Sequence, residues 1–249
     1  MLKKRIALLA MIALLCAVCG AAAEKGGEAE ILAVFFCPEA QIITEADHSK
    51  ELADTVVFLY HDFTYIQYVD HDDRYEIYSG GTFEVDFDWN APGWQYDSPH
   101  ILTIHAQRFH TADHVLETAD LTYDINLDRV ADYCLYPNNI RPDLKLTAAF
   151  MQVNKQKLAK ADGSEEYLPT IWFYYDDGSF EQYAIVGGQG VVLFSSGDYA
   201  VTDPGFTANS VLTIHRTMKY RDGTGLAGYD STHDYVIGEL DFIRIWPAE

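Results

Sequence analysis

Positive charge and cysteine are what this chain has least of. Its 249 residues hold 17 Lys and Arg against 38 Asp and Glu, a formal net charge of −21, and four cysteines. A surface so acidic repels phosphate backbones and anionic membranes, so nucleic acid is not an expected partner. Beyond the first twenty residues there is no apolar run long enough to cross a bilayer as a helix, so no transmembrane segment is expected in the mature chain. Catalytic signatures are missing too. The sequence has no Gly-x-Ser-x-Gly, no His-Glu-x-x-His and no phosphate-binding glycine loop, so neither an enzyme nor a cofactor is expected.

The N-terminus is the exception to both scarcities. Lys3, Lys4 and Arg5 precede the apolar stretch Ile6 to Val18, and Ala21-Ala22-Ala23 supplies small residues for a signal peptidase. Residues 1–23 therefore read as a signal peptide of a secreted protein, with 24–30 a flexible lead-in. A competing reading is a lipoprotein anchored at Cys19, which is followed by Gly20. Cleavage after Ala23 removes three basic residues and no acidic ones, taking the net charge from −21 to −24. It also leaves two cysteines, Cys37 and Cys134, which either form one bridge in an oxidising compartment or remain two buried thiols.

Self-comparison shows an internal repeat. A shift of 115 aligns Ile31–Val69 with Leu146–Ala184 without a gap, pairing Phe35 with Phe150, Tyr60 with Tyr175, and Gln67-Tyr68 with Gln182-Tyr183. A shift of 116 places Ser79 and Gly81 on Ser195 and Gly197, and a shift of 110 places Leu102-Thr103-Ile104-His105 on Leu212-Thr213-Ile214-His215. The order is kept and the offsets drift by a few residues, as loop-length changes produce. The expected organisation is a first domain at 31–137, a linker at 138–145 and a second domain at 146–247.

Within each unit the periodicity is that of strands. Phe83, Val85, Phe87 and Trp89 alternate with Glu84, Asp86 and Asp88. Leu212, Ile214, Arg216 and Met218 alternate with Thr213, His215, Thr217 and Lys219. Ile171–Tyr175 and Phe180–Val186 flank an Asp-Gly turn and predict a hairpin. The best helical candidate is Leu144 to Lys160, although the corresponding part of the first copy contains Pro38. About six strands per copy are enough for a small antiparallel barrel or, alternatively, a β-sandwich. The segments WFYYDDGSFEQYA (172–184), FSSGDYAV (194–201), SVLTIHRTMKY (210–220) and STHDYVIGELDFIRIW (231–246) resemble the small lipocalin-like (calycin-type) barrel domains of exported bacterial proteins. The resemblance rests on strand rhythm and a Gly-x-[Tyr/Phe] turn, and it implies two tandem barrels that bind rather than catalyse.

Candidate sites are few. The recurring pairs Thr103/His105 and Thr213/His215 each share one strand face, either lining a pocket or forming the wet side of a sheet. Trp94 and Tyr96 lie in a loop that is shorter in the second copy and could stack on a sugar or a partner. Asp70, His71, Asp72 and Asp73 offer oxygen and nitrogen ligands for a cation, or form a solvated loop. Asp62 and Asp176-Asp177 invite a glycosidase reading but sit where turns form. The expected function is non-catalytic binding of a small apolar ligand by each barrel. The alternative is an extracellular carbohydrate-binding or protein-interaction module that acts through its loops.

The cysteine question has a direct test. Alkylating the unreduced, denatured protein and weighing it should show no modified Cys37 or Cys134 if they are bridged. Two alkyl groups would dispose of the bridge.

Overall fold

A computed structural model describes residues 30–44, 50–71, 74–85, 101–110, 116–126, 133–135, 141–186 and 189–246. It is all-β, with two antiparallel seven-stranded sheets and no α-helix among the described residues. The first sheet contains β1 (Ile31–Thr44), β2 (Lys50–Tyr60), β3 (Thr64–His71), β4 (Arg74–Val85), β5 (Ile101–His110), β6 (Leu116–Asn126) and β7 (Cys134–Leu135), in the order β6-β5-β4-β3-β2-β1-β7. The second contains β8 (Leu146–Ala159), β9 (Glu165–Tyr175), β10 (Ser179–Val186), β11 (Gly190–Val201), β12 (Val211–Arg221), β13 (Gly225–Val236) and β14 (Phe242–Trp246), in the order β13-β12-β11-β10-β9-β8-β14. Strand for strand the two orders are the same.

The segment proposed as a helix, Leu144 to Lys160, instead holds strand β8, which pairs with β9 on both sides of an irregularity between Gln152 and Gln156. Its apolar residues satisfy either period over a short window, and pairing with the hairpin partner decides between them. In β9 the run Ile171-Trp172-Phe173-Tyr174-Tyr175 is buried without alternation, because both faces of that strand are covered. The hairpin turn forms as the sequence suggests. Gly178 takes a φ of 81° there, and Phe63, at the corresponding place in the first sheet, takes the same left-handed conformation at 63°.

Closed barrels do not form. Both sheets are open, and among the described residues no ladder joins β6 to β7 or β13 to β14. The second sheet nevertheless curls tightly. Its two edge strands are joined by the short connection from Val236 to Phe242, which contains a 3-10 turn at Ile237–Glu239. Six residues reach about 21 Å at most, whereas the edges of a flat seven-stranded sheet lie about 29 Å apart. The seam stays unpaired because the turn bonds elsewhere: Ile237 N–H donates to Ser210 O at 3.0 Å and Gly238 N–H to Ala208 O at 2.8 Å. From the same loop Phe206 enters the core, with its ring 5.8 Å from Phe150 and 5.5 Å from Tyr174. The result is a curled, sandwich-like sheet wrapped around Phe150, Trp172, Tyr174, Phe180, Leu212 and Ile214.

Irregular registers shape the curl. β4 shifts register against β5 between Gly80 and Gly81, and β11 against β12 between Ser196 and Gly197. At both places the facing backbone comes very close. A Cβ on Gly81 would lie 2.1 Å from His105 O, and one on Gly197 would lie 2.0 Å from His215 O. Gly197→Ala should therefore cost about 1–3 kcal/mol, read as a lower urea midpoint. Gly228→Ala, with nothing within 4 Å of the added carbon, should leave that midpoint nearly unchanged. Equal effects would show that the close approach carries no weight.

Candidate functional site

The concave face of the second sheet holds a cavity of about 280 Å³. Its walls come from β8, β9, β11, β12, β13 and β14, and include Trp172, Tyr174, Phe194, Leu212, Ile214 and Phe242. For scale, an apolar cavity of about 150 Å³ holds benzene, and drug-sized pockets begin near 300 Å³. Around the cavity, Trp172 lies 5.4 Å from Phe180 and 6.0 Å from Phe242, while Tyr174 packs edge-on against Tyr199 at 4.9 Å.

A polar chain runs beneath this aromatic wall. Ser195 Oγ donates to Gln182 Oε1 at 2.7 Å, and Gln182 Nε2 donates to Thr170 Oγ1 at 3.0 Å. Thr170 Oγ1 and Trp172 Nε1 then donate to Gln152 Oε1 at 3.2 and 3.1 Å. Thr170, Gln182 and Ser195 are wholly buried. The first sheet repeats the core of this network at equivalent positions. Ser79 Oγ donates to Gln67 Oε1 at 2.9 Å, and Gln67 Nε2 to Thr55 Oγ1 at 3.2 Å. There Tyr123, on β6, also reaches Gln67 Oε1 with its hydroxyl at 3.1 Å. Alignment of Gln67 with Gln182 and of Ser79 with Ser195 was the sequence signal for these networks. It did not show that the residues touch.

Two cations also face the cavity. Gly197 pairs with Arg216 and Ser195 with Lys219, and β12 shifts register between these two pairs. The irregular step turns Arg216 and Lys219 to the same concave side, where strict alternation would separate them. The Arg216 guanidinium lies over Trp172 at 5.2 Å, and the Lys219 ammonium lies 5.7 Å from Phe194 and 5.5 Å from Tyr229. Tyr174 lines the same cavity with its hydroxyl buried and without a hydrogen-bond partner among the described residues. Burial pushes the pKa of that hydroxyl well above its ordinary value, so it remains a neutral donor.

No protein-family model, curated protein or solved structure matches this chain.

The residues singled out in the sequence lie elsewhere. Thr213 and His215 occupy the face opposite Leu212 and Ile214, where they meet exposed carboxylates: Thr213 Oγ1 donates to Asp234 at 2.7 Å, and His215 Nε2 lies 3.2 Å from Asp230. Thr103 likewise donates to Asp124 at 2.8 Å, and His105 Nδ1 lies 3.2 Å from Thr122. These four residues form cross-strand pairs on the wetter face. Trp94, Tyr96, Asp72 and Asp73 are outside the described residues, as are the side chains of His71 and Cys37. Asp70 is half-buried, and no group of three His, Cys, Asp or Glu that could hold a metal occurs among the described residues. Cys134 opens β7, the strand beside β1, which carries Cys37.

Of the glycosidase candidates, Asp176 accepts from the Lys145 N–H at 3.1 Å, and the other two act as turn formers. Asp62 accepts from both the backbone N–H and the hydroxyl of Thr64, and Asp177 does the same for Ser179. Burial alone would raise the Asp177 pKa, but the Ser179 bonds and the Arg141 charge together hold the carboxyl below its ordinary value. Glu181, on the face of β10 opposite Gln182, is buried and fully engaged. It accepts from Arg141 at 3.2 Å and from the hydroxyls of Tyr175 and Tyr183 at 3.2 and 2.8 Å. Three structural donors thus converge on its two oxygens.

Gln182→Leu should cost about 1–3 kcal/mol, because the Ser195 hydroxyl is left buried without an acceptor. Adding Ser195→Ala should recover part of that loss. Chemical denaturation of both variants checks this, and a double variant no more stable than the single one would mean the bond carries little.

Proposed function

We propose that the chain is an exported, non-catalytic binding protein that holds a small, largely apolar molecule on the concave face of its second sheet. The observation that carries this reading is the aromatic-lined cavity of about 280 Å³. Apolar walls supply affinity in proportion to the ligand area they remove from water, and scattered polar groups orient the ligand. Export rests on the basic, then apolar, then small-residue N-terminus. Among the described residues no helix is long and apolar enough to cross a membrane.

We also infer that the two units arose by duplication and diverged. Supporting this are the shared strand order and the equal lengths of β1 and β8, β2 and β9, β3 and β10, and β4 and β11. The duplicated Ser-Gln-Thr network points the same way. A lipocalin-like ancestry, in which the seam has opened, remains the best analogy for a curled meander around a ligand space.

Native mass spectrometry of protein purified gently from a secreting host tests the binding reading. The expected result is a reproducible extra mass that is lost on denaturation and absent from an Ile214→Trp variant, whose indole fills the cavity. Leu212→Phe is the milder filler should that variant fold poorly. A clean unliganded mass after saturating exposure to lipid and small-molecule extracts would reject the cavity and favour partner binding through the loops.

A further inference from the structure

The cavity is lined by hydrogen-bond donors that nothing in the described protein satisfies. Arg216 and Lys219 form no ion pair among the described residues, in a chain where acidic groups outnumber basic ones more than two to one. Among the described residues no Asp or Glu lines the cavity. Ring contacts stabilise both cations from the side, but they offer no acceptors to the five N–H bonds of a guanidinium or the three of an ammonium. Tyr174 adds a buried hydroxyl without a partner.

Gln152 adds a further donor, and its orientation is set chemically. The Trp172 indole N–H can only donate, so the atom 3.1 Å from it must be the amide oxygen. Gln152 Oε1 already accepts from Trp172 and Thr170, which leaves its NH2 group without a partner among the described residues. Four side chains therefore bring donor capacity to one aromatic-walled space.

We propose that this cavity is a single site for an apolar carboxylate, whose anionic head is held by Arg216 and Lys219 with Tyr174 and Gln152 as neutral donors. This rests on the binding reading above and adds the ligand's charge and stoichiometry. A neutral apolar ligand would leave the tyrosine hydroxyl without an acceptor and the half-buried cations dependent on water, whereas a cationic one would be repelled. A carboxylate supplies about four acceptor positions and suits a planar guanidinium.

The first sheet does not repeat the donor set. By register, Ala106 pairs with Gly81 where Arg216 pairs with Gly197, and Phe109 pairs with Ser79 where Lys219 pairs with Ser195. Leu59 stands at the position of Tyr174, and Cys37 at that of Gln152. The anion site therefore belongs to the second unit alone, one per chain.

Isothermal titration of the full-length chain with decanoate and 2-naphthoate, each beside its neutral alcohol, tests this. At least one acid should bind with one site per chain and at least tenfold more tightly than its alcohol. Arg216→Gln combined with Lys219→Gln should bring acid and alcohol to equal affinity, while Arg216→Lys should keep most of the preference. Alcohols that bind as tightly as the acids, and are lost in the Ile214→Trp variant, would overturn the anion assignment and leave the cavity reading standing. No binding by any of the four probes would overturn both. Two equivalent acid sites per chain would refute the restriction to the second unit. Should the double variant fail to fold, the acid-to-alcohol ratio of the unaltered protein decides.

Discussion

The connection between Val236 and Phe242 constrains everything built on the second sheet. It is too short to span the width of a flat seven-stranded sheet, so joining β13 to β14 obliges the sheet to curl. Curling creates an inside, and the inside must be filled. Phe206 enters from the 202–210 loop, while Phe150, Trp172, Tyr174 and Phe180 pack from the strands. Because the 3-10 turn spends its backbone bonds on Ser210 and Ala208, the seam is bridged by the chain without being zipped by a ladder. A curled sheet with an unpaired seam keeps room on its concave side that a close-packed core would not leave.

The buried polar chain belongs to the same design. A wholly apolar interior would pack as well in several registers, whereas a glutamine tied to a serine and a threonine on neighbouring strands is satisfied in one. The network sits beside the close backbone approach at Gly197 in the second sheet and at Gly81 in the first. The close approach fixes β4 against β5 and β11 against β12, the network ties β2, β3 and β4 together and β8 to β11 together, and both recur at equivalent positions. What differs between the sheets is what lies on top of the network. In the first, Tyr123 reaches across to Gln67. In the second, the position of Tyr123 is taken by His233, opposite Ile214, and the space opens into the cavity.

A common scaffold with one equipped face suggests a division of labour between the units. The second carries cations and free donors over an aromatic floor, and the first carries small or apolar residues at the same register positions. Acidity elsewhere sharpens the contrast. The outer face of β11, β12 and β13 is laced with carboxylates, Asp198, Asp230 and Asp234, that engage Thr213 and His215. On the inner face two cations have no such partner among the described residues. An anion seated there meets the positive groups at close range and is shielded by the sheet from the acidic exterior.

The all-β class, the Asp-Gly hairpin and the burial of Leu212 and Ile214 were legible from residue periodicity and turn residues, because these depend on near neighbours and on a period of two. The turn roles of Asp62 and Asp177 were legible for the same reason. Three things were not. Leu144 to Lys160 pairs as a strand because of a partner whose pairing lies beyond any local window. Barrel closure fails because the seam residues bond to another loop, a competition that no strand count reveals. Arg216 and Lys219 share a face because one irregular step in β12 reverses the parity, so the alternation that correctly buried Ile214 misplaced Lys219 three residues after Arg216. Local chemistry thus determined which segments are strands, while bulges, seam and curl, set by contacts between distant strands, decided which side chains meet around the cavity.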